Sequence, residues 1–100
     1  MSNIEYCISD KGCACVISGH AGAGNIGEDV VCSAVTMLMR LFVNCTGYSE
    51  IYEDGYYFIE AEGSPHNQLV FKVICSGFDM MAEHDPENKY IKVIRKVSLT

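Results

Sequence analysis

Two long apolar segments constrain the fold of this 100-residue chain more than any other feature. Residues 28 to 44 or 45, and residues 65–84, carry aliphatic and aromatic side chains at helical spacing, which predicts two α-helices. Both segments are apolar on nearly every side, although a helix that covers one sheet needs only a single apolar stripe. The surplus apolar surface predicts either a second copy of the chain packed against the helices or a deeper core within one copy.

Shorter stretches with alternating apolar and polar residues predict strands at residues 3–9, 13–18, 49–53, 56–62 and 89–97. The Asp10-Lys11-Gly12 and Asp54-Gly55 turns each join two of these strands into a hairpin. Ser64 is suited to cap the second helix and Pro65 to begin it. The order ββαββαβ therefore predicts a single α+β domain over residues 1–100, with an antiparallel sheet, two helices and a tendency to form dimers.

The composition narrows the functional classes. Hydrophobic residues make up 49% of the chain, which excludes general disorder, and a net charge of −6 argues against a nucleic-acid partner. The lysines and arginine of residues 89–96 are better explained as the solvated face of a strand. We find no span of membrane length and no signal-peptide pattern at the start, so we expect a cytoplasmic protein without a membrane partner.

The six cysteines do not have the spacing of a metal site. Cys13-Ala-Cys15 lacks the two-residue separation of a zinc knuckle, and Cys7, Cys45 and Cys75 lie in three different apolar segments. In the cytoplasm these thiols are expected to stay reduced. We therefore predict no metal and no cofactor.

The segment from Gly19 to Val35 concentrates the chemically active residues. A glycine-rich stretch that holds His20 is followed by acidic residues suited to a helix N-terminus, and Cys32 lies about one turn into that helix. Helix N-termini lower thiol pKa values, and a neighbouring imidazole can take the proton of the thiol. The pattern indicates a nucleophilic Cys32 paired with His20. The alternative is that Cys32 is a small core residue, as most intracellular cysteines are.

Helical spacing places Asp29 and Thr36 on the same face as Cys32. Asp29 can orient the His20 imidazole, or it can simply complement the positive end of the helix dipole. Thr36 can hydrogen-bond the sulfur or its own backbone four residues earlier. Amides of residues 22–27 could form an oxyanion hole. His66 and His84 lie at predicted helix ends, away from these motifs, where structural roles are expected.

The glycine-rich segment has a further expected property. Gly22, Gly24 and Gly27 make residues 21–27 easy to reshape, so they are predicted to contact the substrate. We expect this loop to be mobile in the free protein and to order over a bound, extended peptide.

Gly-His-Ala-Gly at residues 19–22 and Gly-Glu-Asp-Val-Val-Cys-Ser-Ala-Val at residues 27–35 resemble the signature of the ribosomal-processing cysteine proteases, the Prp family. Residues 77–83 and 90–93 resemble the C-terminal helix and last strand of that family, so the resemblance covers most of the chain. It implies a catalytic dyad of His20 and Cys32, and a homodimer. The chain departs from the pattern of that family at two positions. Ala23 stands where an aromatic residue is usual, and Thr36 stands where serine is usual.

The resemblance further implies a cysteine endopeptidase that removes a short N-terminal extension from a large-subunit ribosomal protein, the twenty-seventh. The basic charge of ribosomal proteins agrees with the acidic charge of this chain. Ala23 leaves the substrate preference open. The alternative function is a dimeric binding module, or a phage or accessory protease relative with another protein target.

Overall fold

The computed structural model describes residues 1–19, 30–46, 49–53 and 55–97, with the backbone alone at residues 30, 32, 49 and 50. Its elements are β1 (Ser2–Ser9), β2 (Gly12–Ser18), α1 (Val30–Thr46), β3 (Ser49–Glu53), β4 (Tyr56–Ala61), α2 (Pro65–Glu83) and β5 (Ile91–Arg95). This order confirms the predicted ββαββαβ arrangement and the α+β class. No helix in the described ranges is long and apolar enough to cross a membrane.

The strands form one sheet with the order β3-β4-β2-β1-β5. Three of its pairs are antiparallel, as predicted, but β1 and β5 run parallel. The parallel pair arises because α2 carries the chain from β4 across the sheet to the far edge beside β1. Both β4 and β1 are antiparallel to β2, so a strand that returns in the direction of β4 is parallel to β1.

The core lies between one face of the sheet and the two helices. Ile4 and Tyr6 of β1, and Cys13, Cys15 and Ile17 of β2, are all buried on the faces that strand alternation predicted. The rings of Phe42 in α1 and Phe71 in α2 meet with their centroids 4.3 Å apart. Buried Met39 and Phe78 extend this apolar contact along the helices.

The two helices pack side by side in opposite directions. Leu38 of α1 lies against Gly77 of α2, where an added Cβ would be 3.2 Å from one Leu38 methyl carbon. Towards the other end of the pair, Nε2 of His66 is 2.9 Å from the carbonyl oxygen of Cys45. The middle of α1 therefore contacts the later part of α2, and the end of α1 contacts the start of α2. The absence of a side chain at Gly77 allows the helices to approach closely.

Local hydrogen bonds set the boundaries of α2 and β5. The Ser64 side chain accepts a hydrogen bond of 3.2 Å from the Asn67 amide, which is the predicted N-cap. Strand β5 is shorter than the predicted residues 89–97. The carboxylate of Asp85 accepts hydrogen bonds from the amides of Lys89, Tyr90 and Ile91 at 2.7–2.9 Å, so Lys89 and Tyr90 form a bend and the strand begins only at Ile91.

Candidate functional site

The predicted site residues lie where β2 ends and α1 begins. His20, Gly22, Gly24, Gly27 and Asp29 fall outside the described residues. Cys32 is the third residue of α1 and is described by its backbone alone. Thr36, one turn further along, has an exposed side chain.

The end of β2 is held in one conformation. Gly19 has a φ of 82°, a region that favours glycine, and its amide donates a hydrogen bond of 2.8 Å to the carbonyl oxygen of Gly55. A Cβ at Gly19 would lie 2.5 Å from the carbonyl oxygen of Met1. The chain therefore leaves the sheet in a fixed direction immediately before His20.

A pocket of about 80 Å³ lies beside this strand end. Ile17 and Gly19 of the β2 end and Val35, Thr36 and Met39 of α1 form one part of its lining. The β3–β4 hairpin closes another side with Tyr52 and Tyr57, among others, and Ser2 of β1 also lines the pocket. The site is thus a cleft between the first part of α1 and the ends of strands β1, β2, β3 and β4.

Chain connectivity relates both predicted catalytic residues to this pocket. Gly19 immediately precedes His20, and Val35 and Thr36 follow Cys32 by three and four residues, which is one helical turn. Residues at these spacings share one helix face. The pocket is therefore lined by the residue that precedes His20 and by the helical turn that follows Cys32.

The sequence did not predict that residues of the β3–β4 hairpin line the pocket. Asp54-Gly55 predicted the turn, but nothing local in Tyr52 or Tyr57 predicted that the hairpin would lie against α1. The rings of these two tyrosines pack edge to face with centroids 4.9 Å apart. Together with Tyr56, they supply the aromatic part of the pocket lining among the described residues.

Other cysteines have environments that disfavour nucleophilic chemistry. A hydrogen bond with Cys15, together with burial, raises the pKa of Cys75, and burial raises the pKa of Cys13. A thiol with a raised pKa is rarely a thiolate at neutral pH. Cys45 is exposed near the end of α1. Within the described part of the chain, no group of three His, Cys, Asp or Glu side chains is arranged to hold a metal ion.

Comparison with known proteins identifies one family and several solved structures with the same fold. The family model for cysteine protease Prp matches residues 2–92. A crystal structure described as the essential ribosomal processing protease Prp from Staphylococcus aureus, with a covalently linked product peptide, is similar with a TM-score of 0.82. The two chains are 21% identical over 96% of this chain and 100% of the other.

Two further solved structures share the fold. The Staphylococcus aureus Prp with a substrate peptide gives a TM-score of 0.72 at 20% identity, covering 96% of this chain and 100% of that chain. A Streptococcus mutans protein gives 0.66 at 24% identity, covering 96% of each chain. Comparison with curated protein sequences gave no match.

Fold and family model together define the class as a cysteine protease. Because the model matches most of its length, the chain belongs to the cysteine protease Prp family.

Proposed function

We propose that the chain is a cysteine endopeptidase in which Cys32 is the nucleophile and His20 the general base and acid. The observation that carries this proposal is the pocket, because its lining includes Gly19 beside His20 and the helical turn that follows Cys32. A nucleophilic cysteine needs an imidazole within hydrogen-bonding reach, and the proposal is supported because described neighbours of both residues line one pocket.

The reaction proceeds in two steps. The Cys32 thiolate attacks the carbonyl carbon of the scissile bond, and the imidazolium of His20 gives its proton to the departing amine. The resulting thioester is hydrolysed by a water molecule from which His20 removes a proton, and the thiolate is restored. The position of Cys32 in the first turn of α1 supports this role, since a helix N-terminus stabilises a thiolate.

We also propose roles for residues near the catalytic pair in the sequence. Asp29 either orients the imidazole or complements the helix dipole, and Thr36 supplies a hydroxyl at the border of the pocket. Backbone amides in the segment that contains Gly22, Gly24 and Gly27 are our candidates for the oxyanion hole and for substrate contacts.

We infer that the substrate is a basic ribosomal protein precursor in the cytoplasm, whose short N-terminal extension is removed. Large-subunit protein twenty-seven is the candidate. The Staphylococcus aureus neighbours are described as a ribosomal processing protease, bound to a substrate or product peptide. The net charge of −6 supports the choice because it favours encounter with a basic protein.

Incubation of the precursor with the purified chain, followed by mass measurement, tests this function. The wild type should shorten the precursor at one bond, whereas Cys32→Ala and His20→Ala should leave it intact. Cys45→Ala is the matched control, because it removes an exposed thiol from the same helix and should keep full activity. Processing by pure, folded Cys32→Ala protein would refute the assignment of the nucleophile.

We further propose a homodimer formed through the two helices. Met37 in α1 and Leu69, Val73 and Met80 in α2 expose 60–62% of their surface in the monomer. Leu69, Val73 and Met80 are spaced by four and seven residues and therefore form one stripe along α2. A second copy of the chain would cover this apolar surface.

A further inference from the structure

The pocket beside the catalytic positions contains a buried hydroxyl group. Ser2 is 2% exposed and lines the pocket, on the β1 face shared with Ile4 and Tyr6. Its amide donates to the Tyr90 carbonyl oxygen at 2.9 Å, but its hydroxyl has no hydrogen-bond partner among the described residues. Buried hydroxyls in proteins are normally paired, so an unpaired one that borders a cavity points to a ligand.

The rest of the lining determines what kind of ligand fits. Ile17, Val35 and Met39 are buried apolar residues, and Tyr57 adds an aromatic wall. A volume of about 80 Å³ suits a single side chain rather than a folded segment. Buried apolar walls beside the buried Ser2 hydroxyl favour a ligand with an apolar stem and a hydrogen-bonding tip. Glu53 also lines the pocket but is exposed, whereas a charged tip that reached the buried Ser2 hydroxyl would lose its hydration.

We propose that this pocket is a specificity subsite that binds one neutral polar side chain of the peptide substrate, with the Ser2 hydroxyl hydrogen-bonded to its tip. The inference rests on the proposed endopeptidase function and deepens it by naming the residue that selects the substrate. Ser2 contacts a substrate side chain and takes no part in bond cleavage.

The subsite predicts a specific pattern of substrate preference. Glutamine and methionine have similar length and volume, but only glutamine can hydrogen-bond strongly through its tip. At one substrate position near the scissile bond, glutamine should therefore exceed methionine in kcat/KM by about tenfold, since a lost hydrogen bond of about 1.4 kcal/mol corresponds to that factor. At other positions the two peptides should differ little.

The test compares a cleaved peptide in glutamine and methionine versions at each position near the scissile bond. Ser2→Ala should abolish the preference for glutamine at the one position, and Ser2→Thr should retain it because the hydroxyl remains. Ser18→Ala, a half-buried serine of β2 that does not line the pocket, is the matched control and should behave as wild type. Thermal unfolding of every variant establishes that it is folded.

Binding measurements separate this inference from the proposed function. Calorimetric affinities of the same peptides for Cys32→Ala protein report on the subsite without cleavage. A glutamine preference in binding, with no cleavage by the wild type, would sustain the subsite and reject the endopeptidase. Equal values for the two peptides in both cleavage and binding would overturn the subsite, as would a Ser2→Ala effect that is the same for every peptide.

Discussion

At Gly19 the backbone has a φ of 82°, and the space where a Cβ would lie is filled by the carbonyl oxygen of Met1 at 2.5 Å. Two constraints, one conformational and one steric, thus require glycine at the residue before His20. The direction in which the chain leaves β2 depends on them. A change at this position should therefore affect both stability and catalysis.

Gly19→Ala should lower the free energy of unfolding by about 1–3 kcal/mol, the usual cost of a left-handed non-glycine residue. It should also reduce kcat on any cleaved substrate, because the displaced strand end carries His20. Gly12→Ala is the control, since its Cβ would be 3.7 Å from the Ala61 carbonyl oxygen, an ordinary contact. Denaturant unfolding and steady-state kinetics measure the two effects. Equal behaviour of the two variants would contradict the role of Gly19.

Tyr6 links β1 to α2 through its hydroxyl, which donates a hydrogen bond of 3.0 Å to the Asp79 carboxylate. Burial, and then this hydrogen bond, raise the pKa of Tyr6 to about 12. Because the pKa is raised, the neutral phenol stabilises the fold at pH values below about 10, which is the pKa of tyrosine in the unfolded chain. That contribution is lost as the pH rises through about 12.

Tyr6→Phe should therefore cost about 1–2 kcal/mol at neutral pH, because the hydrogen bond to a charged group is removed. The difference from wild type should shrink as the pH rises from about 10, where the phenol of the unfolded chain ionises, to about 12, where the folded one does. Chemical denaturation at several pH values measures this. Tyr90→Phe serves as control, and a loss of stability independent of alkaline pH would speak against the hydrogen bond.

Asp85 terminates α2 and begins the turn to β5. Three backbone amides donate to its carboxylate and thereby hold its pKa below the usual range, the Tyr90 amide most strongly. A lowered pKa means that the carboxylate stabilises the fold above its unfolded value of about 3.9 and ceases to do so as the pH falls through the folded value.

Asp85→Ala should accordingly lower Tm at neutral pH, and its deficit relative to wild type should vanish in strong acid, below the lowered pKa. Thermal unfolding followed by circular dichroism at pH 7 and at successively lower pH values measures the difference. Glu87→Ala is the control, as this neighbouring residue is exposed. A deficit that persists unchanged in acid would show that the carboxylate charge is not responsible.

At the scale of elements, local patterns predicted the seven helices and strands of the described residues but not all of their lengths. Periodicity located β5, yet its first predicted residues donate their amides to Asp85 instead of continuing the strand. The parallel pairing of β5 with β1 is also absent from local patterns, because it depends on how far α2 carries the chain. Likewise, glycine and helix signals predicted a catalytic segment, but they could not predict the pocket, which requires a hairpin distant in sequence.

The contact between the helices depends on the absence of a side chain at Gly77. A Cβ there would be 3.2 and 3.3 Å from the two methyl carbons of Leu38. Gly77→Val should thus separate α1 from α2 and cost about 1–3 kcal/mol, as overpacked cores do. Ser76→Val introduces the same residue at the adjacent exposed position, and should cost less. Equal denaturation midpoints for the two variants would contradict this.

At the scale of the whole molecule, both helices retain apolar surface after covering the sheet. The core that forms buries Met39, Phe42 and Phe78, but it leaves Leu69 and Val73 62% exposed. Sequence periodicity predicted this surplus, although it left open whether a deeper core or a second copy would absorb it. The exposed stripe favours the second copy.

Val73→Glu should therefore convert the proposed homodimer into a monomer of 11.0 kDa at micromolar concentration. Ile51→Glu is the control, because Ile51 is 53% exposed but belongs to β3 and not to the apolar stripe of α2. Light scattering after size-exclusion chromatography gives the mass of each variant. A wild-type chain that is monomeric under these conditions would refute the dimer.

The central claim is that β2 and α1 bring His20 to the thiol of Cys32. The alkylation rate of Cys32 tests this claim most directly. Each cysteine is followed by mass spectrometry after brief exposure to iodoacetamide near pH 6. Cys32 should react at least about tenfold faster than exposed Cys45, because a helix N-terminus and an imidazole both favour its thiolate, and His20→Ala should remove most of that advantage. If Cys32 reacts no faster than Cys45, or is unaffected by His20→Ala, the proposed catalytic pair is wrong.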